Sequence, residues 1–312
     1  MNSKRITDGV RLTAVFIVIL LVSLFVPIIN IVAVFGLAVP FVIYSARHGW
    51  KAAVPMAIAS VVLAFFVATF VSFPLALLMA LGGLMIGQAI HANLSPYETW
   101  ARGTVGFIIG LVFAFVFTQL VLHVNWMDEM EQMMREYTQM TKDLMAQFGT
   151  LDQADEQLAL MEEELLRMTD FLPAGLAFAA ILLAFISQWI SYKVMNRLDD
   201  QTLRFPPFRT MKMPVSIVWI YFFALIVTFF DLDSDSLLLI ASENVRMVAG
   251  MLMMIQGFSF IFFFSHHKKM SKALPIASVV VTLFLPFIFI FPVRILGIVD
   301  IGFGLRERLE KG

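Results

Sequence analysis

Cysteine is absent from the 312 residues, which excludes disulfides, thiolate zinc sites and thiol redox chemistry. Charge is scarce as well. Asp, Glu, Lys and Arg make up 14% of the chain, against about 25% in a soluble domain. The net charge of −1 leaves no basic footprint for nucleic acid. Catalytic motifs are missing: no GxSxG, HExxH, P-loop or GxGxxG occurs in the right context. The expectation is therefore a non-enzymatic protein without a cofactor.

Apolar residues dominate what remains, at 60% of the chain with mean hydropathy +0.86. A water-soluble fold cannot hide this much apolar surface, so lipid must act as solvent for most of it. The expected class is all-α, a polytopic transmembrane helical bundle. Crossing the hydrocarbon takes about 20 mostly apolar residues. Nine candidate spans follow: Val10–Pro27, Ile31–Ala46, Ala52–Ser72, Leu75–Ala92, Gly103–Val124, Pro173–Tyr192, Pro214–Phe230, Val245–Ser265 and Leu274–Gly297. Eight is the alternative, because the second is short enough to be re-entrant. The first run is too long for a signal-peptide core and lacks a small-residue cleavage pattern, so it reads as a retained span.

The one long polar run, Trp126 to Leu172, divides a five-span half (1–124) from a four-span half (173–312). Met130, Met133, Tyr137, Met140 and Leu144 recur three and four apart. Leu151, Ala154, Leu158, Met161, Leu165, Met168 and Leu172 do the same. That period predicts an antiparallel helical hairpin over 125–172, with Gly149 ending one arm and Thr150 capping the next. Twelve acids against three bases give the hairpin a net charge of −9.

Lysines and arginines set the expected topology. Lys4, Arg5 and Arg11, then Arg47 and Lys51, then Arg102, then the basic link 193–213, then Lys268, Lys269 and Lys272 all fall on one side if the spans alternate. That side reads as cytoplasmic, in a bacterial cell membrane, with the N-terminus inside and the hairpin outside. Nine spans would leave Arg306, Arg308 and Lys311 outside, against the rule, unless Pro286 and Pro292 break the last segment. The Arg204–Pro214 link, with its prolines and aromatics, reads as interfacial.

Polar groups at membrane depth are costly unless used. Gln256, near the midplane, is the first ligand candidate. Asn244 and Gln188 join it as wall residues of a cavity between the halves, with Arg246 and Glu243 at the outer end of the eighth span. The competing reading is helix-to-helix glue, worth about 0.6–2 kcal/mol per amide; for Arg246 and Glu243 it is a headgroup-level ion pair. The methionines of the polar run could bind Cu(I), but seam packing accounts for most of them. His266-His267 has no third metal ligand near it in sequence.

Particular residues also carry a resemblance. Pro40, Arg47-His-Gly49, Gly82, Gly83 and Gly87, the Phe205-Pro-Pro207 link, Asn244, Gln256-Gly257, Gly297-Ile-Val-Asp300 and Arg306 together resemble the YybS-like family of predicted bacterial membrane proteins. The first half is similar to the substrate-binding components of energy-coupling-factor transporters. Those are six-span bundles that hold a small ligand near the outer side. Their first-span Ala-x-x-x-Ala contact is replaced here by Ala14 and Val18. The first likeness implies a membrane protein partner, such as a membrane cyclic-dinucleotide phosphodiesterase; the second implies a small-molecule ligand.

Overall fold

The computed structural model describes residues 3–27, 29–68, 70, 72–147, 167–233 and 236–311. All regular structure among them is helical. Two compact units divide the chain, Met1–Arg204 and Phe205–Gly312.

In the N-terminal unit the helices are α1 (Ser3–Phe25), α2 (Asn30–Gly36), α3 (Val39–His48), α4 (Trp50–Ala68), α5 (Ser72–His91), α6 (Pro96–Val121), α7 (Trp126–Gln147) and α8 (Leu172–Leu198). α1, α4, α5, α6 and the helical stretch that ends in α8 are each long and apolar enough to cross a membrane. The expected short second span is the pair α2–α3. Its apolar helical stretch, Val32–His48, falls below that length.

Small residues set how closely these helices pack. A Cβ on Gly83 would lie 2.7 Å from the Ala38 carbonyl oxygen, and one on Gly82 would enter the Phe107 ring. α5 therefore wedges between α3 and α6, and Phe16, Phe41, Met79, Ile86 and Phe107 close the core around it. The capping box at Ser95 forms as its sequence implies: the Ser95 hydroxyl accepts from the Glu98 N–H at 3.3 Å, with Pro96 opening α6.

One boundary differs from the expectation. By sequence the sixth span opens the second half, yet α8 packs inside the N-terminal unit. Its face of Ala174, Ala180, Ala184, Ser187 and Ser191 is buried. Gly103 of α6 comes against Ala184, and the Trp100 indole donates to the Ile181 carbonyl at 2.9 Å. A stripe of small residues needs a close neighbour, and α6 supplies it.

Cationic ends gather at one end of this unit. His48 meets Asp8 at 3.2 Å, the Arg47 guanidinium forks onto Asp199 at 2.6 and 3.0 Å, and Gln88 Oε1 accepts from the Trp50 backbone N–H.

At the other end, α7 departs from its expected seam. Met133, Tyr137, Met140 and Leu144 are 48–68% exposed. The shielded stripe is Met130, Met134, Thr138, Thr141 and Met145. The period is helical, as expected, but the covered face is rotated by about one residue. The expected second arm from Leu151 to Leu165 lies outside the described residues.

The C-terminal unit holds α9 (Ser216–Val227), α10 (Leu237–His267), α11 (Ala273–Phe284), α12 (Pro286–Phe303) and the short α13 (Leu305–Lys311). The expected ninth span is two helices, broken at Leu285 immediately before Pro286. Neighbours along the contact advance together: Gly250 meets Arg294, Met253 meets Gly297, and Gln256 bonds Asp300. α12 therefore runs parallel to α10. α11 enters and α12 returns, which carries the tail back to the end where the 205–213 link lies.

Gly257 and Gly297 permit this crossing, because a Cβ on either would overlap the backbone of the opposite helix. Gly304, at φ +59°, then turns the chain in the left-handed region and sets Arg306 over Asp300.

Candidate functional site

Gln256 lies on α10, facing the α12 crossing, and is fully buried. Its Oε1 accepts from the Met213 N–H at 3.1 Å, and its Nε2 donates to Asp300 Oδ2 at 2.6 Å. Asp300 and Arg306 are buried too, at 2% and 8% exposure. The Arg306 guanidinium grips both Asp300 oxygens, with Nε at 2.9 and 3.2 Å and Nη2 2.9 Å from Oδ2. It also donates to the Arg209 carbonyl at 2.8 Å and to Ser259 Oγ at 3.0 Å. Ser259 Oγ lies 2.8 and 3.1 Å from the Phe208 and Met211 carbonyls. Phe263 closes the set, with the guanidinium carbon 5.3 Å from its ring centre.

A buried ion pair is tolerated only when its remaining donors and acceptors are satisfied, and this one meets that condition. Chemically it is a clamp. It ties α10, α12, the tail and the 208–213 segment together and buries Met211 and Met213. The link is thus packed along the last three turns of α10 as well as bearing exposed charges.

The other expected site residues do not join Gln256. Asn244 donates to the Ile240 carbonyl of its own helix at 2.8 Å. Glu243 and Arg246 approach only to 4.0 Å, each about one-third exposed. Gln188 belongs to the N-terminal unit. There its Nε2 donates to the Pro96 carbonyl at 2.9 Å and to the Tyr192 hydroxyl at 2.8 Å. Its Oε1 is buried without a partner among the described residues, and so are the hydroxyls of Ser187 and Ser191 on the same helix. Thr99, fully buried in the first turn of α6, stands beside Tyr192. Pro96 and Tyr192, the two groups Gln188 holds, also line a cavity of about 270 Å³ bounded by Asn93, Leu94, Leu203 and Arg204.

Sequence reasoning placed Tyr192 beside Gln188 as a possible cavity residue but missed Ser187 and Ser191, which extend the pair into a polar stripe. Their signal was the i, i+4 repeat Ser187–Ser191 and Gln188–Tyr192 inside an apolar span. It also missed Asp300 and Arg306 as Gln256 partners, although both stood among the residues that carry the family likeness.

Residues 14–301 match the description "Predicted membrane protein (DUF2232)". The chain belongs to this family. It is 29% identical over 309 residues to "Uncharacterized protein YybS" of Bacillus subtilis (strain 168), covering 99% of each sequence. No solved structure matches it. Several of the residues behind the YybS-like resemblance converge in the clamp: Gln256-Gly257, Gly297, Asp300 and Arg306, with the link that follows Phe205-Pro-Pro207 laid against them.

Proposed function

We propose that the protein binds a small polar molecule within the N-terminal unit, without chemical turnover, in a bacterial cell membrane. The carrying observation is the run of buried, unpartnered oxygens on α8: Ser187 Oγ, Gln188 Oε1 and Ser191 Oγ. Buried polar atoms are nearly always paired, so a cluster of orphans marks a place where a ligand or water completes the set. At roughly 30 Å³ per water, the cavity of about 270 Å³ lined by Pro96 and Tyr192, the two groups that Gln188 holds, has room for about nine waters or one small metabolite.

Two further points support the reading. The unit has six apolar crossing elements if α2–α3 counts as one, which agrees with the span number that the transporter-component resemblance implies. Its cationic ends collect on one side, which favours a cytoplasmic N-terminus with α7 outside. On that assignment the cavity opens inward.

Thermal-shift screening of the purified protein against fractionated polar metabolites tests the reading. A fraction that raises the melting temperature of wild type but not of Ser191→Ala or Gln188→Leu supports it. Uniform silence across all fractions, with both variants melting and behaving in cells as wild type does, sinks it.

A second reading is a scaffold that works with a membrane protein partner, for which a cyclic-dinucleotide phosphodiesterase is the candidate the resemblance supplies. The exposed stripe Met133, Tyr137, Met140 and Leu144 on the acidic α7 favours it. Crosslinking in native membranes that recovers one stoichiometric partner, lost on Tyr137→Glu, would select it.

A further inference from the structure

Outside the clamp, the basic end of the C-terminal unit holds a cup of about 560 Å³ between the 207–209 segment, the end of α10 and the start of α11. Arg209, His266, Lys269 and Lys272 line it, and Phe208 and Phe262 form an apolar wall with rings 5.5 Å apart at 81°. We propose that this cup binds a phosphate ester group, and that its source is the headgroup of an anionic phospholipid.

Three observations carry the proposal. The first is charge. Several cations elsewhere on this protein have partners: Arg47 with Asp199, Arg102 with Glu98, Lys212 with Glu307, and Lys193 over the Trp189 ring. The four basic groups of the cup have no acidic partner among the described residues, and no acid lines the cavity. A concave site lined by one sign of charge over an apolar wall concentrates an anion that carries an apolar body.

The second is rigidity. The turn that presents Phe208 and Arg209 is fixed from behind, since the Arg209 carbonyl accepts from Arg306 and the Phe208 carbonyl faces Ser259 Oγ. A preformed wall lowers the ordering cost of binding.

The third is backbone. α10 ends with Met270 N–H bonded to the Ser265 carbonyl at 2.8 Å, around Lys269 at φ +53°. That left-handed position is usually glycine. A lysine there is strained, and it lines the cup.

The apolar wall and the place at the basic end of a membrane unit favour lipid over a free anion. The test uses full-length protein extracted from bilayers of phosphatidylcholine mixed with phosphatidylglycerol, with co-purifying lipid measured by native mass spectrometry. Wild type should retain phosphatidylglycerol several-fold above its share of the bilayer. The variant R209Q/K269Q/K272Q should fall to parity. Lys269→Gly alone should fall part-way, and because glycine suits the backbone it keeps the test readable if the triple variant does not fold. The control K4Q/R11Q/K51Q, which removes three cations from the other unit, should change nothing. Equal loss in the control, or no preference in wild type, overturns the lipid assignment. A second arm adds inorganic phosphate in neutral detergent. A melting shift in wild type that vanishes in the cup variants reassigns the site to a free phosphate compound. Silence in both arms overturns the site altogether.

Discussion

Two glutamines, each fully buried in an apolar helix, stand in opposite conditions. Gln256 has each end of its amide bonded, to a backbone N–H and to a carboxylate that an arginine neutralises. Gln188 uses only its nitrogen, and its oxygen is unpaired, as are two hydroxyls on the same helix. The residue type is the same, and so is the burial. What separates a structural amide from a candidate binding amide is whether the neighbourhood completes its hydrogen bonds. Around Gln256 the polar atoms complete one another and hold the helices together. Around Gln188 three buried oxygens on one helix are left unpaired.

Substitutions should break that contrast unequally. The largest loss is expected for Asp300→Leu, which strands a buried guanidinium: about 3–5 kcal/mol, read as a lower melting temperature in detergent. Combining it with Arg306→Met should recover much of that loss, because a buried pair replaced by apolar groups is close to neutral. Gly297→Ala comes next, at about 1–3 kcal/mol, since its Cβ meets the Met253 backbone and α12 must move. Gln256→Leu should cost about 1–2 kcal/mol, because the Met213 N–H loses its acceptor. Lys269→Gly should stabilise the protein by about 1 kcal/mol through relief of the left-handed backbone. The smallest effect belongs to Ser191→Ala, within about 0.5 kcal/mol of wild type, since no observed hydrogen bond is lost. If Ser191→Ala instead destabilises as much as Gln256→Leu, the two glutamine environments are alike and the contrast fails.

The sequence made the class legible, because an apolar run of 20 residues has few other uses. It made α6 legible down to its cap, since Ser95, Pro96 and Glu98 form a local pattern whose outcome depends on nothing distant. Legibility failed where a decision rested on partners far apart in the chain. Whether α8 joins the residues before or after it depends on Gly103 meeting Ala184, and hydropathy carries no sign of that. The face that α7 covers differs from the expected seam by one residue, a shift too small for periodicity to fix among interleaved methionines. Gln256 was singled out correctly as costly and assigned to a ligand, because its partner Asp300 lies 44 positions on. The rise and return of 273–303 was visible only as a misplaced group of cations in the tail, together with two prolines able to break the segment.

That doubling back has a practical side. Within the C-terminal unit the tail and the 205–213 stretch end up as neighbours, joined by Lys212 and Glu307 at 2.5 Å. Whatever compartment bathes one of them bathes the other. A topology reporter that places Lys212 on one side of sealed vesicles must then place Glu307 on that side too, and a reporter on either one reads out both.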